Sequence, residues 1–139
     1  MDTSPVSVLV VEDFEPFRQF LSSTLGKRPE FQVICEVSDG SEAVRRAEDL
    51  KPDLILLDIE LPGLSGIDAA RQIRRLAPES KIIFVSQESS PDLVQEALSS
   101  GGLGYVLKTK AATDLLPAVE AVLEGRQFVT SGLIAGSSS

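Results

Sequence analysis

Five short apolar runs recur along the chain, each followed by a segment of helical spacing, and this alternation limits the fold more than any other feature of the sequence. The runs are Val6 to Val11, Phe31 to Val37, Asp53 to Leu57, Lys81 to Val85, and "GYVLK" ending on Lys108. Each is short, aliphatic or β-branched, and bounded by turn residues, as strands buried on both faces are. Between them the apolar residues fall three and four apart. Phe14, Phe17, Leu21 and Leu25 mark the inward face of a first helix, and Ala43, Val44, Ala47 and Leu50 that of a second, which stops before Pro52. Ile67, Ala70, Ile73 and Leu76 mark a third, ending before Pro78. Ser90 as cap and Pro91 at the first helical position open a fourth, closed by a glycine pair. Leu115, Leu116, Val119 and Val122 face inward from a fifth, where Pro117 is expected to introduce a kink near the start. Strands alternating with helices give an α/β, doubly wound parallel sheet covered on both faces. In such sheets chemistry collects beyond the carboxyl ends of the strands.

A chain of 139 residues is long enough for one core and short for two. With 21 acidic against 13 basic residues the net charge is -8, which repels phosphate backbones and anionic lipid, so no direct nucleic-acid contact and no membrane contact is expected. There is no histidine, which removes His-based zinc sites and His-dependent triads. The single cysteine, Cys35, excludes a disulfide within the chain and reads as a small buried hydrophobe. The N-terminus does not read as a signal peptide, and no segment has the apolar length of a membrane span, so a cytoplasmic location is expected.

The residues just past the strands are Glu12 and Asp13, then Asp58, Ser86 and Lys108. Singly, each reads as turn chemistry or a solvated strand end. Together they are three acids, a hydroxyl and an amine. Two like charges about 4 Å apart repel by about 4 kcal/mol at an effective dielectric near 20, so the acids need a counter-charge. Lys108 and a hard divalent cation would supply it, and oxygen-only ligands point to Mg2+. A nucleophilic acid, a metal and fixed donors for phosphoryl oxygens are the parts needed for phosphoryl transfer to a carboxylate.

The segments "LVVED", "LILLDIELPGLSG", "IIFVS" and "GYVLK" resemble, in order, the four motif strands of the receiver domain of two-component response regulators. The spacing is similar too: Asp58 lies 45 residues after Asp13, Ser86 lies 28 after Asp58, and Lys108 lies 22 after Ser86. The resemblance implies a five-stranded (βα)5 flavodoxin-like sheet of order 2-1-3-4-5. It implies Asp58 as phosphoacceptor, with Mg2+ held by Glu12, Asp13, Asp58 and the backbone carbonyl of Glu60. Ser86 and Lys108 would bind the phosphoryl group, and Tyr105 would move inward as Ser86 is drawn to it. Implied partners are a sensor histidine kinase or phosphotransfer protein, a homodimer formed on phosphorylation, and a DNA-binding output domain outside this chain that controls transcription. Such a domain is a stoichiometric phosphoacceptor switch and not a turnover enzyme.

Three positions depart from the commonest pattern of that family. Gln87 replaces a small residue and is expected to narrow access to Asp58. Glu60 places an acid beside the phosphate and is expected to lengthen its lifetime by repelling attacking water. Thr109 follows Lys108 where a proline joined by a cis bond is common. These departures leave an alternative, a degenerate receiver acting as a phosphorylation-independent protein-binding module. The expected organisation is a receiver over 1–126, with "LLPAVEAVLEGRQFVTSGL" leading into a linker or flexible tail over 127–139.

Overall fold

The computed structural model describes residues 4–133. Strand β1 (Val6–Val11) is followed by α1 (Glu15–Gly26), β2 (Phe31–Val37), α2 (Gly40–Leu50), β3 (Leu54–Leu57) and α3 (Gly66–Leu76). Then come β4 (Lys81–Ser86), α4 (Pro91–Ser99), β5 (Gly102–Leu107), α5 (Ala111–Leu123) and β6 (Phe128–Val129). The strands form one sheet of order β2-β1-β3-β4-β5-β6, with every pairing parallel. The order expected for the first five strands holds, and β6 extends the sheet by one short strand.

Side chains of successive strand residues point to opposite faces, and here both faces are buried. Leu9, Val11, Ile55 and Leu57 share one core with Ala43, Ala47, Ile67, Ile73, Val94 and Ala97 of α2, α3 and α4. Val8, Val10, Leu54 and Leu56 share the other with Leu21 and Leu25 of α1 and Leu115, Val119 and Val122 of α5. All four residues of β3 are fully buried. Each such aliphatic side chain contributes about 1.5–3 kcal/mol relative to exposure. The central strand is thereby fixed, and with it whatever follows Leu57.

Some apolar residues lie outside the expected core. Phe14 is the N-cap of α1 and stands 62% exposed; it precedes the helix and does not share its inward face. Leu50 and Leu76 are the last residues of α2 and α3, and both are exposed. Cys35 is only half-buried, because β2 is an edge strand with alternating burial. Helix α5 runs unbroken through Pro117. Among the described residues no peptide bond is cis, so Lys108–Thr109 is trans. The stretch expected to be a tail contributes β6 and reaches Leu133, which is buried; its residues 134–139 lie outside the described residues.

Candidate functional site

Register brings the strand-end residues together. Val11 pairs with Leu57, so Glu12 and Asp58 emerge side by side, and the Asp58 N–H donates to Val11 O at 3.1 Å. Ser86 pairs with Leu107, which sets Lys108 at the same end of the sheet. Glu12 and Asp58 are buried, at 1% and 5% exposure, whereas Asp13 is exposed. Lys108 Nζ lies 2.9 Å from Glu12 Oε1 and donates to Asp58 Oδ2 at 3.1 Å. Asp58 Oδ1 accepts from the Ile59 N–H at 2.7 Å, and Glu12 Oε2 from the Phe14 N–H at 3.1 Å. The Phe17 ring centroid sits 5.0 Å from Lys108 Nζ, so the ammonium is also held against an aromatic face.

The turn after β3 is shaped for this carboxylate. The Gly66 N–H donates to Ile59 O at 2.7 Å, and a Cβ on Gly66 would meet Asp58 O at 1.9 Å. Gly63 turns the chain at φ 81°, a conformation glycine adopts without steric cost. Ser65 then caps α3, its side chain accepting from the Asp68 N–H at 3.2 Å. The glycines of "LPGLSG" thus let the chain leave the sheet without covering Asp58.

Burial, then the neighbouring Glu12 charge, push the Asp58 carboxyl up to about 6, against the opposing pull of Lys108 and the Ile59 N–H. Burial alone would push Lys108 down, but its bond to Glu12 and the charge of Asp58 outweigh it and leave the ammonium held above its ordinary range. The three acids each offer an oxygen, and these oxygens lie within 4.8 Å of one another. Glu12 Oε1 is buried and faces the Lys108 ammonium at 2.9 Å. An all-oxygen donor set that includes two buried carboxylates suits a hard divalent cation. Charge agrees: three carboxylates and one ammonium leave a deficit that a divalent ion balances.

Glu12, Asp13, Asp58, Glu60, Gln87 and Lys108 line one open cavity of about 530 Å³, together with Phe14 and Phe17. Ser86 and Tyr105 sit behind it. The buried Ser86 Oγ accepts from the Glu88 N–H at 3.1 Å, and the Tyr105 hydroxyl donates to Glu88 O at 2.7 Å. Tyr105 is wholly buried, with its ring centroid 6.4 Å from that of Phe84, and burial raises its hydroxyl above the ordinary range. The aromatic expected to move inward is therefore already inside. Sequence reasoning missed Glu88 as the link between Ser86 and Tyr105, because both of its contacts are made by backbone atoms. It assigned Phe17 to the core on periodicity, with no signal for its place under Lys108. A larger cavity of about 650 Å³ opens at the amino ends of β4 and β5 beside Arg74 and Lys81, away from the converging acids.

Residues 8–120 match the family described as the response regulator receiver domain. The chain is 39% identical over 126 residues to the transcriptional regulatory protein LiaR of Bacillus subtilis (strain 168), covering 91% of this chain and 60% of LiaR. It is 30% identical over 129 residues to the transcriptional regulatory protein DegU of Brevibacillus brevis, covering 93% of this chain and 55% of DegU. It thus spans less than two thirds of these curated relatives. Among solved structures, a LuxR-family two-component response regulator from Aurantimonas sp. SI85-9A1 superposes with a TM-score of 0.90 at 29% identity, over 97% of this chain and 99% of that one. The signal receiver domain of the putative regulator NarL from Mycobacterium tuberculosis gives 0.84 at 29% identity, over 88% of this chain and 99% of that one.

Proposed function

This chain belongs to the response regulator receiver domain family, and from that premise we propose that it accepts a phosphoryl group on Asp58 from a sensor histidine kinase or phosphotransfer protein. The observation that carries the reading is the buried Glu12–Lys108–Asp58 arrangement at the strand ends, with distances of 2.9 and 3.1 Å. One Asp58 carboxylate oxygen attacks phosphorus, forming the acyl phosphate as the bond from phosphorus to the donor nitrogen breaks. Asp58, near 6, is ionised over most of the neutral range and available as the nucleophile. Lys108, held cationic beside it, neutralises charge on the transferred group. Ser86 is the hydroxyl donor assigned to a further phosphoryl oxygen.

Glu12, Asp13, Asp58 and the Glu60 backbone carbonyl would hold Mg2+, which when bound supplies charge neutralisation for the phosphoryl oxygens. Exchange of the Ser86 contact for the phosphoryl group would free the Glu88 N–H and so alter the loop that anchors Tyr105. That links the chemistry to the surface around α4 and β5. The chain acts as a stoichiometric acceptor. Its relatives' names, and their greater length, support a DNA-binding output region outside these residues, through which the switch controls transcription. The alternative of a phosphorylation-independent binding module is disfavoured by the intact set of acids, hydroxyl and lysine.

Incubation with acetyl phosphate, with and without Mg2+, followed by intact mass tests the assignment. One Mg2+-dependent phosphoryl adduct, absent from Asp58→Ala, is expected. No adduct, together with no change in amide spectra on adding beryllofluoride and Mg2+, would leave the binding-module alternative.

A further inference from the structure

The segment after α5 is docked on the strand that carries the lysine. Phe128 and Val129 pair with Gly104 and Tyr105 as β6, and the Thr130 N–H donates to Tyr105 O at 3.0 Å. Thr130 is 2% exposed, and its Oγ1 accepts from the Leu107 N–H at 3.1 Å. Leu133, also buried, joins the core cluster that contains Tyr105 and Val129. Leu107 is the last residue of β5, and the next residue is Lys108. The threonine hydroxyl therefore satisfies the last backbone N–H before the side chain that reaches both Glu12 and Asp58. A short 3-10 turn over Lys108–Lys110 follows at once, so β5 has no further strand residue to hold its end. The receiver-family match stops at residue 120, ahead of this segment.

We propose that Thr130 is a positioning residue for the Asp58 site: by clamping the end of β5 through Tyr105 and Leu107, it sets where Lys108 delivers its ammonium. The strap of residues 128–133 is then part of the site's framework, and a chain cut after α5 has a looser Lys108. Only the consequence for phosphoryl binding rests on the function proposed above; the placement of Lys108 does not.

Competitive amine labelling of the 139-residue chain, read by mass spectrometry without any metal or phosphate mimic, tests the placement. Thr130→Val keeps the branched shape and removes the hydroxyl, leaving the Leu107 N–H unpaired. It is expected to raise the labelling rate of Lys108 about fivefold, the factor equivalent to one ordinary hydrogen bond. Labelling of Lys27 in the same sample should stay unchanged, and Thr130→Ser, which retains the hydroxyl, should restore the parent rate at Lys108. A folded Thr130→Val chain whose Leu107 amide exchanges faster while Lys108 is labelled at the parent rate would overturn the proposal. Should that variant not fold, Leu133→Ala loosens the strap at its apolar anchor and carries the same requirement, that strap opening and Lys108 labelling rise together. With beryllofluoride and Mg2+, Thr130→Val should also bind the mimic about fivefold more weakly, rescued by Ser. A parent chain that never binds the mimic overturns the proposed function, and the labelling result then decides the positioning role by itself.

Discussion

At the scale of single residues, the site is defined by an acid kept where it is costly to ionise. Asp58 titrates near 6 in the fold against an ordinary value of 3.8, so the folded chain binds this proton more tightly than the unfolded one. Stability therefore falls as pH rises from about 4 to about 6, and the full cost is present above that. Asp58→Asn should consequently be more stable than the parent at pH 8 without divalent cations, by on the order of 1–2 kcal/mol, with the gain gone at pH 4. Urea unfolding at the two pH values checks this, and an equal gain at both would show that ionisation is not the cause. Glu60 shares the cavity with Asp58 and is exposed, well placed to repel water or hydroxide approaching a phosphoryl group. Glu60→Asn should shorten the acyl phosphate lifetime several-fold, by roughly 1 kcal/mol of lost repulsion between exposed charges. An unchanged decay of the phosphoprotein after removal of the phosphodonor would rule the side chain out as a modulator.

At the scale of elements, the turn from β3 to α3 is the part least tolerant of change. A methyl group at Gly66 would collide with Asp58 O at 1.9 Å and Ile59 Cα at 2.8 Å, both within the backbone that aims the acid. Gly66→Ala should cost about 2–4 kcal/mol and blunt phosphorylation, because the loop must shift for the chain to fold. Thermal unfolding and the acetyl phosphate adduct yield report the two effects. This turn was legible in advance, since glycine at two positions after an apolar run ending in an acid has few other uses. So were β1 and β2, whose bounds coincide with the apolar runs, and α2, whose start carries the Asp39 cap, while Ser90 stands at the N-cap of α4 without a side-chain cap bond. Phe14, Leu50 and Leu76 were misread because helical spacing continues to the ends of a helix, where these side chains are exposed. Strand β6 left no signal, since two residues cannot show a period. Its existence depends on the open edge of β5, which only the assembled sheet presents.

At the scale of the whole molecule, the chain carries a net charge of -8, and part of that excess lies where Glu12, Asp13 and Asp58 converge against a single ammonium. Order and spacing of motif residues sufficed to locate that convergence, because a parallel sheet places every carboxyl strand end on one side. The Tyr105 position and the Glu88 link were not legible, being set by backbone atoms of a loop. An excess of buried negative charge makes the fold itself a reporter of cation binding: an ion that binds only the folded chain stabilises it by mass action. At a Mg2+ concentration about tenfold above its dissociation constant the gain is about 1.4 kcal/mol, or roughly 3–5 °C in thermal midpoint for a domain of this size. Asp13→Asn removes one ligand while leaving the buried Glu12–Lys108–Asp58 arrangement in place, so it should abolish most of that shift without lowering the midpoint measured in chelator. Sodium chloride at matched ionic strength supplies the control, because screening of surface charge acts on both chains alike. A midpoint that rises equally with Mg2+ in the parent and in Asp13→Asn would mean the ion acts on the general acidic surface, and the three converging carboxylates would lose their claim to be a metal site.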